Sequence, residues 1–540
     1  MFRPFLLARY DQNARRHRRT MFPEYDEITR RPASTFKEKT MRKSLLRNTT
    51  IAGAFALMSL AGTQPVLAQD GMSTAMTYAG ELQFQGQSIT KDTAAFLHRR
   101  ILEQRATQLV TWAMPMMNFE QLYPALHANL KTSQGMDISD EDIFFGLYDG
   151  YDGVYPFMTG NVTTPYTIGF SDLSQTGPIV VDLPPGAIFG VVDNAWMQPI
   201  HEIDGTPGKL LLVGPGQDAQ VDFDGTIIQS DTFRVFYFYR ALGTGDEAKA
   251  LRTSVKAYKL SEADNPPETK FVKYAPKPGD EIALNTQPRD MRFWELVNTY
   301  VQREPMAERD RFFYAWLKDL GIQKGKPFNP TDAQKEILQA GLDVGMAMSQ
   351  AISFNKTREM FPTSLYGDNS GFEDAMAAMD PKIDLPTYSM FNERASYGFE
   401  ATTTSAGMVS RTPGVGSAYL GGYYDADGNA LMGGENYMLT VGPNPPAANF
   451  WSVTVYDIEN RVIIRNEQKR SDRSSRSEGL ITNDDGSVDL YFGPQAPDGK
   501  EINWVQTNEG QSFFVYLRLY GPEQEYFDQT FPMTPIKKVE

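Results

Sequence analysis

Residues 450–457 (FWSVTVYD) and 513–522 (FFVYLRLYGP) decide the fold that is predicted for the C-terminal part of the chain. In the first stretch a tryptophan and two valines alternate with serine, threonine and tyrosine, and the second stretch alternates in the same way. Period-two alternation of β-branched and aromatic residues predicts strands with two distinguishable faces. Between the two stretches, residues 483–487 (NDDGS) are typical of a hairpin turn. Short strands separated by such turns predict a β-sandwich or a jelly roll.

The same strand pattern occurs over residues 161–240, and a helical pattern separates the two strand-rich regions. The predicted strands of 161–240 lie between turns such as 184–186 (PPG) and 214–216 (GPG). Over residues 281–400 the apolar period is that of a helix, and Thr331 with Gln334 predicts a capping box. The predicted fold class is therefore mainly β with a helical block: two jelly-roll-like β-sandwich domains bridged by helices.

The chain has 540 residues, which is too long for one hydrophobic core, so several domains are expected. A stretch rich in proline and charge predicts a linker before the helical block. The predicted organisation in chain order is upstream read-through sequence at 1–40, a signal peptide at 41–68, an N-terminal helix with the first β-sandwich at 69–262, the linker at 263–280, the helical block at 281–400 and the second β-sandwich at 401–540.

Residues 41–68 have the three parts of a secretory signal peptide. Basic residues follow Met41, and the apolar run 51–60 (IAGAFALMSL) and a small-residue site come next, so cleavage is predicted after Ala68. The apolar run is too short to span a bilayer, which takes about 20 residues. We therefore expect a periplasmic or secreted protein, and we favour Met41 over Met1 as its start.

Composition excludes several classes of protein. The chain contains no cysteine, which excludes a disulfide framework, iron–sulfur clusters and cysteine-held zinc. Its net charge of −15 argues against a nucleic-acid partner and against adsorption to anionic lipid, so no membrane contact is expected after signal cleavage. The expected partner is a small molecule or a saccharide, and a homo-oligomer is a further option.

Two sets of motifs resemble families of unknown function. Residues 425–433 (DADGNALMG) and 517–522 (LRLYGP) are similar to the domain of unknown function numbered 1214, over about 419–535. Residues 161–166 (NVTTPY) resemble the domain of unknown function numbered 1254, over about 111–245. The resemblance implies paired jelly-roll-like sandwiches with helices in an exported bacterial protein, and it implies no established activity.

Histidine is scarce, which narrows the chemistry that the chain can perform. The chain has four histidines and no His-x-x-x-His spacing, so a zinc or iron site held by histidine is disfavoured and no cofactor is expected. His201 next to Glu202 is a candidate acid–base pair. A solvated loop between strands explains the same two residues without catalysis.

Carboxylates supply the other candidates for chemistry. Asp457 and Glu435 are candidates for cleaving a glycosidic bond, which requires two carboxylates roughly 5 to 9 Å apart. Asp425 and Asp427 are candidate calcium ligands, although Asp-Gly is also the usual sequence of a tight hairpin and we prefer that interpretation. If the protein is an enzyme, we expect a hydrolase that uses carboxylates.

A set of aromatic and polar residues in the second sandwich forms the candidate ligand site. Saccharides stack on the faces of Trp or Tyr and accept or donate hydrogen bonds with arginine and amide groups. The candidate ligand-binding residues are Asn503, Trp504, Arg518, Tyr520 and Arg465. Asn503 and Trp504 are predicted to be an exposed functional element because they follow a loop rich in Pro, Asp and Gly.

The leading functional hypothesis is recognition of a carbohydrate or glycoconjugate, with hydrolysis as an extension of it. One alternative is a non-catalytic structural or assembly protein built on paired β-sandwiches, since a fold does not imply a function. The other alternative is a metal-independent hydrolase of small esters or amides that uses the region of His201.

Overall fold

The computed structural model describes residues 71–540 except 137, 154, 155, 244, 278, 363, 368, 378 and 379. Helices account for 28% and strands for 29% of the structure, in several sheets and without a closed barrel. The fold is therefore mixed rather than mainly β. One central helix of 44 residues contributes much of the helical share. The predicted upstream segment and signal peptide lie outside the described residues.

The central helix is α1 (Lys91–Gln134). The hydroxyl of Thr90 caps its N terminus by accepting a hydrogen bond from the N–H of Thr93, and Gly135 ends it with a left-handed φ of 63°. From Ala106 onward most of its side chains are buried on every side of the helix. A helix that is buried all round belongs to the interior of a protein, so α1 forms the centre of the structure.

Nine further helices lie in the described residues. They are α2 (Gly150–Gly153), α3 (Leu173–Thr176), α4 (Gly245–Arg252), α5 (Arg292–Arg303), α6 (Arg311–Asp319), α7 (Asp332–Phe354), α8 (Phe391–Glu400), α9 (Ala406–Val409) and α10 (Gln524–Phe527). The predicted capping box is confirmed at the start of α7, where the Thr331 and Gln334 side chains each bond to the backbone of the other residue. None of the helices within the described residues is both long and apolar enough to cross a membrane.

Two sheets form the first sandwich, after a three-stranded antiparallel sheet that precedes α1. That small sheet consists of β1 (Met72–Thr77), β2 (Gly80–Gln85) and β3 (Ser88–Ile89). The strands of the sandwich are β4 (Phe144–Tyr148), β5 (Tyr166–Asp172), β6 (Ile179–Leu183), β7 (Ile188–Asn194), β8 (Pro199–Asp204), β9 (Gly208–Val213), β10 (Thr226–Gln229), β11 (Arg234–Ala241), β12 (Lys256–Lys259) and β13 (Lys270–Lys273). Their order is β13-β4-β5-β11-β7-β8 in one sheet and β10-β9-β6-β12 in the other.

The two sheets of the first sandwich share one apolar core. Val181 and Leu212 from the four-stranded sheet pack with Val192 and Tyr237 from the six-stranded sheet. Strand β13 lies within the segment predicted as a linker, and it pairs in parallel with β4. Phe271 of β13 stacks on Phe145 of β4 at a centroid distance of 5.5 Å. Burial of these rings therefore joins the linker segment to the sheet.

The second sandwich repeats the arrangement of a six-stranded and a four-stranded sheet. Its strands are β14 (Glu373–Asp374), β15 (Ser417–Gly422), β16 (Leu431–Met432), β17 (Asn436–Val441), β18 (Ala447–Asp457), β19 (Asp472–Ser474), β20 (Val488–Gly493), β21 (Trp504–Gln506), β22 (Ser512–Pro522) and β23 (Lys537–Val539). The larger sheet has the order β14-β15-β22-β18-β19 with β16 also paired to β22, and the smaller one has the order β21-β20-β17-β23. Trp451, Val453 and Val455 lie in the core between them, as the alternation predicted.

The outer faces of both six-stranded sheets pack against the helices. Phe119 of α1 lies 5.0 Å from Phe236 of the first sandwich, measured between ring centroids. Phe354 of α7 lies 5.2 Å from Phe514 of the second sandwich. Because these contacts belong to one continuous apolar core, the described residues from 71 to 540 form a single compact unit.

Glycines allow α7 to approach α1 closely. A Cβ added at Gly341 would lie 2.3 Å from the Cβ of Ala106, and one added at Gly345 would lie 2.5 Å from the Cβ of Val110. Carbon atoms do not approach so closely, so the two helices would have to separate. The crossing of these helices therefore depends on the absence of side chains at both positions.

We expect Gly345→Ala to destabilise the protein by roughly 1 to 3 kcal/mol, the usual cost of overpacking a core. An alanine in place of glycine within a helix otherwise stabilises by about 0.5 to 1 kcal/mol, so the sign of the effect is diagnostic. Gly407→Ala in α9 is the control, since its Cβ would meet no atom closer than 3.7 Å. Urea unfolding measures both variants, and a Gly345→Ala protein as stable as wild type would contradict the proposed close crossing.

Candidate functional site

Part of the outer face of the second sandwich carries hydroxyl groups and a guanidinium. Strand β22 pairs with both β15 and β18, which places Arg518 opposite Tyr419 on one side and Ser452 on the other. Tyr520 lies two residues further along the same face. This face therefore concentrates polar groups next to the first sandwich.

The Arg518 side chain is 2% exposed and connects the two sandwiches. Its guanidinium donates hydrogen bonds to the hydroxyls of Thr454 and Tyr456 in its own sandwich, and to the carbonyl oxygens of Thr159 and Gly160 in the first. The Tyr456 hydroxyl donates to the same Gly160 carbonyl at 2.6 Å. All these acceptors are neutral, so the positive charge of Arg518 has no carboxylate bonded to it.

The first sandwich contributes a second guanidinium, that of Arg240 at the end of β11. It lies over the ring of Tyr166 at 4.6 Å and near that of Phe238 at 5.8 Å, which are cation–π distances. Within the described residues Arg240 makes no hydrogen bond and no ion pair, and its Nε is buried without a partner. The hydroxyl of Tyr520 is also buried without a partner.

These residues form what we call the arginine–tyrosine cluster: Arg240, Arg518, Tyr166, Tyr419 and Tyr520. Burial opposes the charge of Arg240, but the phenol oxygens of Tyr166, Tyr520 and Tyr419 hold its pKa above the ordinary value. Burial likewise raises the pKa of Tyr520, so this phenol is neutral at physiological pH and can donate a hydrogen bond. The cluster thus presents two cations and neutral donors together.

One carboxylate, that of Asp472 on β19, acts on the cluster. Burial raises its pKa to about 6, while Thr163, Arg518 and Arg470 favour its ionised form. Asp472 pairs in register with Thr454, the residue that accepts from Arg518. Its charge therefore partly offsets that of Arg518 above about pH 6.

Aromatic rings border the cluster. Phe450 stacks on Tyr520 with a centroid distance of 4.0 Å and an interplanar angle of 15°. The exposed guanidinium of Arg476 lies 3.7 Å from the centroid of Phe450. Because Arg240, Tyr166 and Tyr419 are partly exposed, the cluster is within reach of solvent.

The donor set suits an anion. Arginine binds carboxylate, sulfate and phosphate groups through two parallel hydrogen bonds, and buried arginines are normally satisfied in this way. Tyrosine rings add faces on which a sugar ring can stack. The guanidiniums and phenol rings of the cluster are thus groups that can bind an anion and stack against a ring.

The structure brings two of the five predicted ligand-binding residues into the cluster, Arg518 and Tyr520. Asn503, predicted to be exposed, is 2% exposed. Its amide bonds the Ile481 backbone at both donor and acceptor and also donates to the carbonyl of Asp489, so the prediction of an exposed element was wrong for this residue. An asparagine in a predicted loop has the same sequence context whether its amide is exposed to solvent or forms hydrogen bonds within the loop.

Trp504 and Arg465 lie apart from the cluster. Trp504 is partly buried at the start of β21, and its indole N–H donates to the carbonyl of Gly493 at 2.9 Å. Arg465 is exposed, with its guanidinium 3.6 Å from the Asp152 carboxylate and 5.3 Å from the ring of Tyr151. Both side chains thus have contacts of their own outside the arginine–tyrosine cluster.

The candidate catalytic carboxylates of the second sandwich have separate partners. Asp457 ends β18 and accepts a hydrogen bond from the N–H of Asn460 at 2.8 Å, and burial raises its pKa. Glu435 forms a surface ion pair with Lys538 at 2.9 Å. Each carboxylate is therefore engaged in a local contact.

His201 and Glu202 lie in a strand, β8, rather than in the loop considered above. Glu202 accepts a hydrogen bond from the N–H of Ala406 at 2.7 Å, and burial raises its pKa. Burial lowers the pKa of His201, against the opposing charge of Asp204. Neighbours in a strand point to opposite faces, so the two side chains diverge from each other.

The Asp425 carboxylate closes a turn. It accepts hydrogen bonds from the backbone N–H groups of Asp427 and Asn429, and Gly428 follows with a φ of 80°. Asp427 is exposed on the same turn. Across the part of the chain that the structure describes, no three carboxylate or imidazole groups are grouped as metal ligands.

Sequence reasoning missed Arg240, Tyr166 and Tyr419. The sequence holds one signal for Arg240, which directly follows the four aromatic residues 236–239 of a strand. A cation at the end of such an apolar strand is unusual, and most of the four aromatic residues are buried. No pattern within one strand shows that it faces Arg518, since the two residues are 278 positions apart in the chain and meet only through packing of the sandwiches.

The residues of the arginine–tyrosine cluster belong to two domains, each of which matches a known family model. Residues 152–262 match the model described as "Protein of unknown function (DUF1254)", and residues 416–524 match "Protein of unknown function (DUF1214)". The chain carries both domains, in this order. Tyr166 and Arg240 belong to the DUF1254 domain, whereas Tyr419, Arg518 and Tyr520 belong to the DUF1214 domain, so the cluster requires both.

Among solved structures the chain is similar to two bacterial proteins. The VPA0106 protein from Vibrio parahaemolyticus is 17% identical with a TM-score of 0.46, over 80% of this chain and 100% of that one. An uncharacterized protein from Burkholderia cenocepacia is 10% identical with a TM-score of 0.34, over 83% of this chain and 96% of that one. No curated protein matches the chain.

The two arginines of the cluster should differ in their effect on stability. We expect Arg518→Gln to cost about 3 kcal/mol or more, because it leaves buried carbonyl and hydroxyl groups without a donor. Arg240→Gln should change stability by about 0.5 kcal/mol or less, or raise it, because that guanidinium bonds to nothing that the structure describes. Chemical denaturation followed by fluorescence compares the variants, and equal losses would contradict the distinction.

Proposed function

We propose that this protein is exported and recognises an anionic saccharide or glycoconjugate at the arginine–tyrosine cluster, between two jelly-roll-like sandwiches. The observation that supports this most directly is the Arg240 guanidinium, which is charged and makes no hydrogen bond or ion pair with the described residues. Removing a cation from water without a partner is unfavourable, and a partner that arrives from outside would relieve this cost. An acidic group of the ligand would fill this place.

The ligand class follows from the groups around Arg240. A carboxylate or sulfate would accept from Arg240 and from the hydroxyl of Tyr520, while the rings of Tyr166 and Tyr419 offer faces to a sugar. A neutral sugar would leave the guanidinium without its counter-ion. We therefore narrow the carbohydrate hypothesis to acidic saccharides.

Hydrolysis is not part of this proposal. Cleavage of a glycosidic bond requires two carboxylates roughly 5 to 9 Å apart on either side of it. Asp457 bonds to a backbone N–H and Glu435 pairs with Lys538, so each is already engaged. Near Arg518 the carboxylate is that of Asp472, whose effect on an anionic ligand is repulsive.

Binding is tested on the chain from Gln69 onward with oligogalacturonate as the acidic probe and galactose oligomers of equal length as the neutral one. We expect the acidic probe at saturating concentration to raise the melting temperature by a few degrees and the neutral probe to have no effect. Arg240→Gln should abolish the shift without loss of fold. Arg311→Gln is the matched control, since Arg311 is an exposed arginine of α6 whose side chain is 71% exposed.

Equal shifts with both probes would contradict the role of the charge, and no shift with either would overturn the proposal. The second outcome favours the structural or assembly alternative, for which light scattering would show a stable oligomer. A shift that survives Arg240→Gln would place the ligand at another site.

Binding of a sulfated saccharide should strengthen as the pH falls from 7 to 5. Asp472 takes up a proton in this range because its pKa is about 6, and its repulsion of the anion then disappears. One charge a few ångströms away is worth on the order of tenfold in affinity. Sulfate itself remains ionised throughout.

Asp472→Asn is expected to bind tightly at both pH values, measured by titration calorimetry. The buried carboxyl of Glu400, whose pKa burial raises to about 7, titrates in the same range and accepts from Tyr516 at 2.8 Å. A pH dependence that persists in Asp472→Asn would therefore assign the effect to Glu400 instead.

A further inference from the structure

Two large apolar side chains are exposed beside Arg240 on the outer face of the first sandwich. Strand β7 pairs with β11 in a register that places Phe189 directly opposite Arg240. Leu242 follows Arg240 by two positions, and its N–H continues the pairing by donating to the carbonyl of Ala187 at 2.8 Å. Residues that lie opposite each other, or two positions apart in one strand, share a face of the sheet. Phe189 is 44% exposed and Leu242 is 49% exposed, so an apolar surface adjoins the arginine–tyrosine cluster.

The charge on this face changes from one strand to the next. Asp204 of β8 lies opposite Phe189 on the side away from β11, and it is exposed. Hydrogen bonds from Thr206 hold the pKa of Asp204 below its usual value, so this carboxyl is ionised at neutral pH. The row therefore runs from the cation of Arg240 through the phenyl ring of Phe189 to an anion. An acidic ligand is attracted at the first end and repelled at the other, which fixes the direction in which it lies.

The position of the Phe189 ring is set by the backbone of the first sandwich. A Cβ added at Gly205, the residue after Asp204, would lie 3.3 Å from the ring, so the ring packs against this glycine. Single exposed apolar residues are ordinary on protein surfaces. Phe189 and Leu242 differ because they are diagonal neighbours and adjoin a guanidinium that has no bonded partner among the described residues.

We propose that the ligand of the arginine–tyrosine cluster is an acidic glycoconjugate with an apolar group next to its acid, and that this apolar group lies on Phe189 and Leu242. This inference rests on the function proposed above and narrows its ligand class from acidic saccharides to amphiphilic ones. The acid accepts hydrogen bonds from Arg240, and the apolar group covers the exposed ring between Arg240 and Asp204. A free acidic saccharide uses the first contact only.

The test compares phenyl β-glucuronide, methyl β-glucuronide and phenyl β-glucoside by titration calorimetry on the chain from Gln69 onward. We expect phenyl glucuronide to bind about tenfold more tightly than methyl glucuronide, because its ring removes the exposed surfaces of Phe189 and Leu242 from water. Phenyl glucoside has the same ring without the acid and should not bind at the same concentrations. Arg240→Gln should abolish the binding of both glucuronides.

Phe189→Ser removes the apolar surface and leaves the cluster intact. It should lower the affinity for phenyl glucuronide to that for methyl glucuronide and leave the affinity for methyl glucuronide unchanged. Leu242→Ser should lower the affinity for phenyl glucuronide about threefold, because it removes a smaller apolar area. Phe312→Ser is the matched control, since Phe312 of α6 is 63% exposed and should leave every affinity unchanged.

Equal affinities for phenyl and methyl glucuronide would overturn this inference, whereas loss of both in Arg240→Gln would still support the proposed function. A preference for phenyl glucuronide that persists in both Phe189→Ser and Leu242→Ser overturns it as well, and so does phenyl glucoside binding as tightly as phenyl glucuronide. A protein that binds oligogalacturonate but neither glucuronide overturns this inference alone. If no acidic probe binds, the proposed function fails and this inference fails with it.

Discussion

The hydrogen bonds of the Arg518 guanidinium are the interaction on which the joining of the two sandwiches depends. The side chain is almost completely buried, and a buried cation is costly unless its donors are satisfied. Its acceptors come from both domains, two carbonyl oxygens of residues 159 and 160 on one side and two hydroxyls of β18 on the other. Separation of the domains would remove the two carbonyl acceptors of the first domain, so the residue favours their observed arrangement.

The arginines that have a buried guanidinium nitrogen fall into two groups. Arg461 donates to the carbonyl oxygens of Phe399 and Glu459 and to Gln287, and Arg252 donates to Thr167 and Asp149 among others. Arg240, Arg394 and Arg473 form the second group, because no described group accepts a hydrogen bond from any of these three guanidiniums. Hydrogen-bond partners thus separate the arginines whose guanidinium is bonded within the fold from those whose guanidinium is not.

The central helix explains why the molecule is one unit instead of two sandwiches on a linker. Helix α1 packs against the outer face of one sheet and against α7 and α8, whose opposite sides contact the other sheet. The close crossing at Gly341 and Gly345 and the contact of Gly398 with the backbone of Pro115 bring these helices together. The arginine–tyrosine cluster combines residues of the two six-stranded sheets.

The sequence by itself determined the local elements and their faces. Alternation in 450–457 placed Trp451 in the core, the Thr331–Gln334 spacing predicted a real helix start, and the motifs predicted the two domains in the right order, because each of these signals acts over a few residues. Only the tertiary structure decided that Asn503 is buried in its own loop and that Arg240 lies beside Arg518. Burial and hydrogen bonding depend on residues that are distant in the chain, 14 and 22 positions from Asn503 and 278 positions between Arg240 and Arg518, and no local pattern records which of them come together.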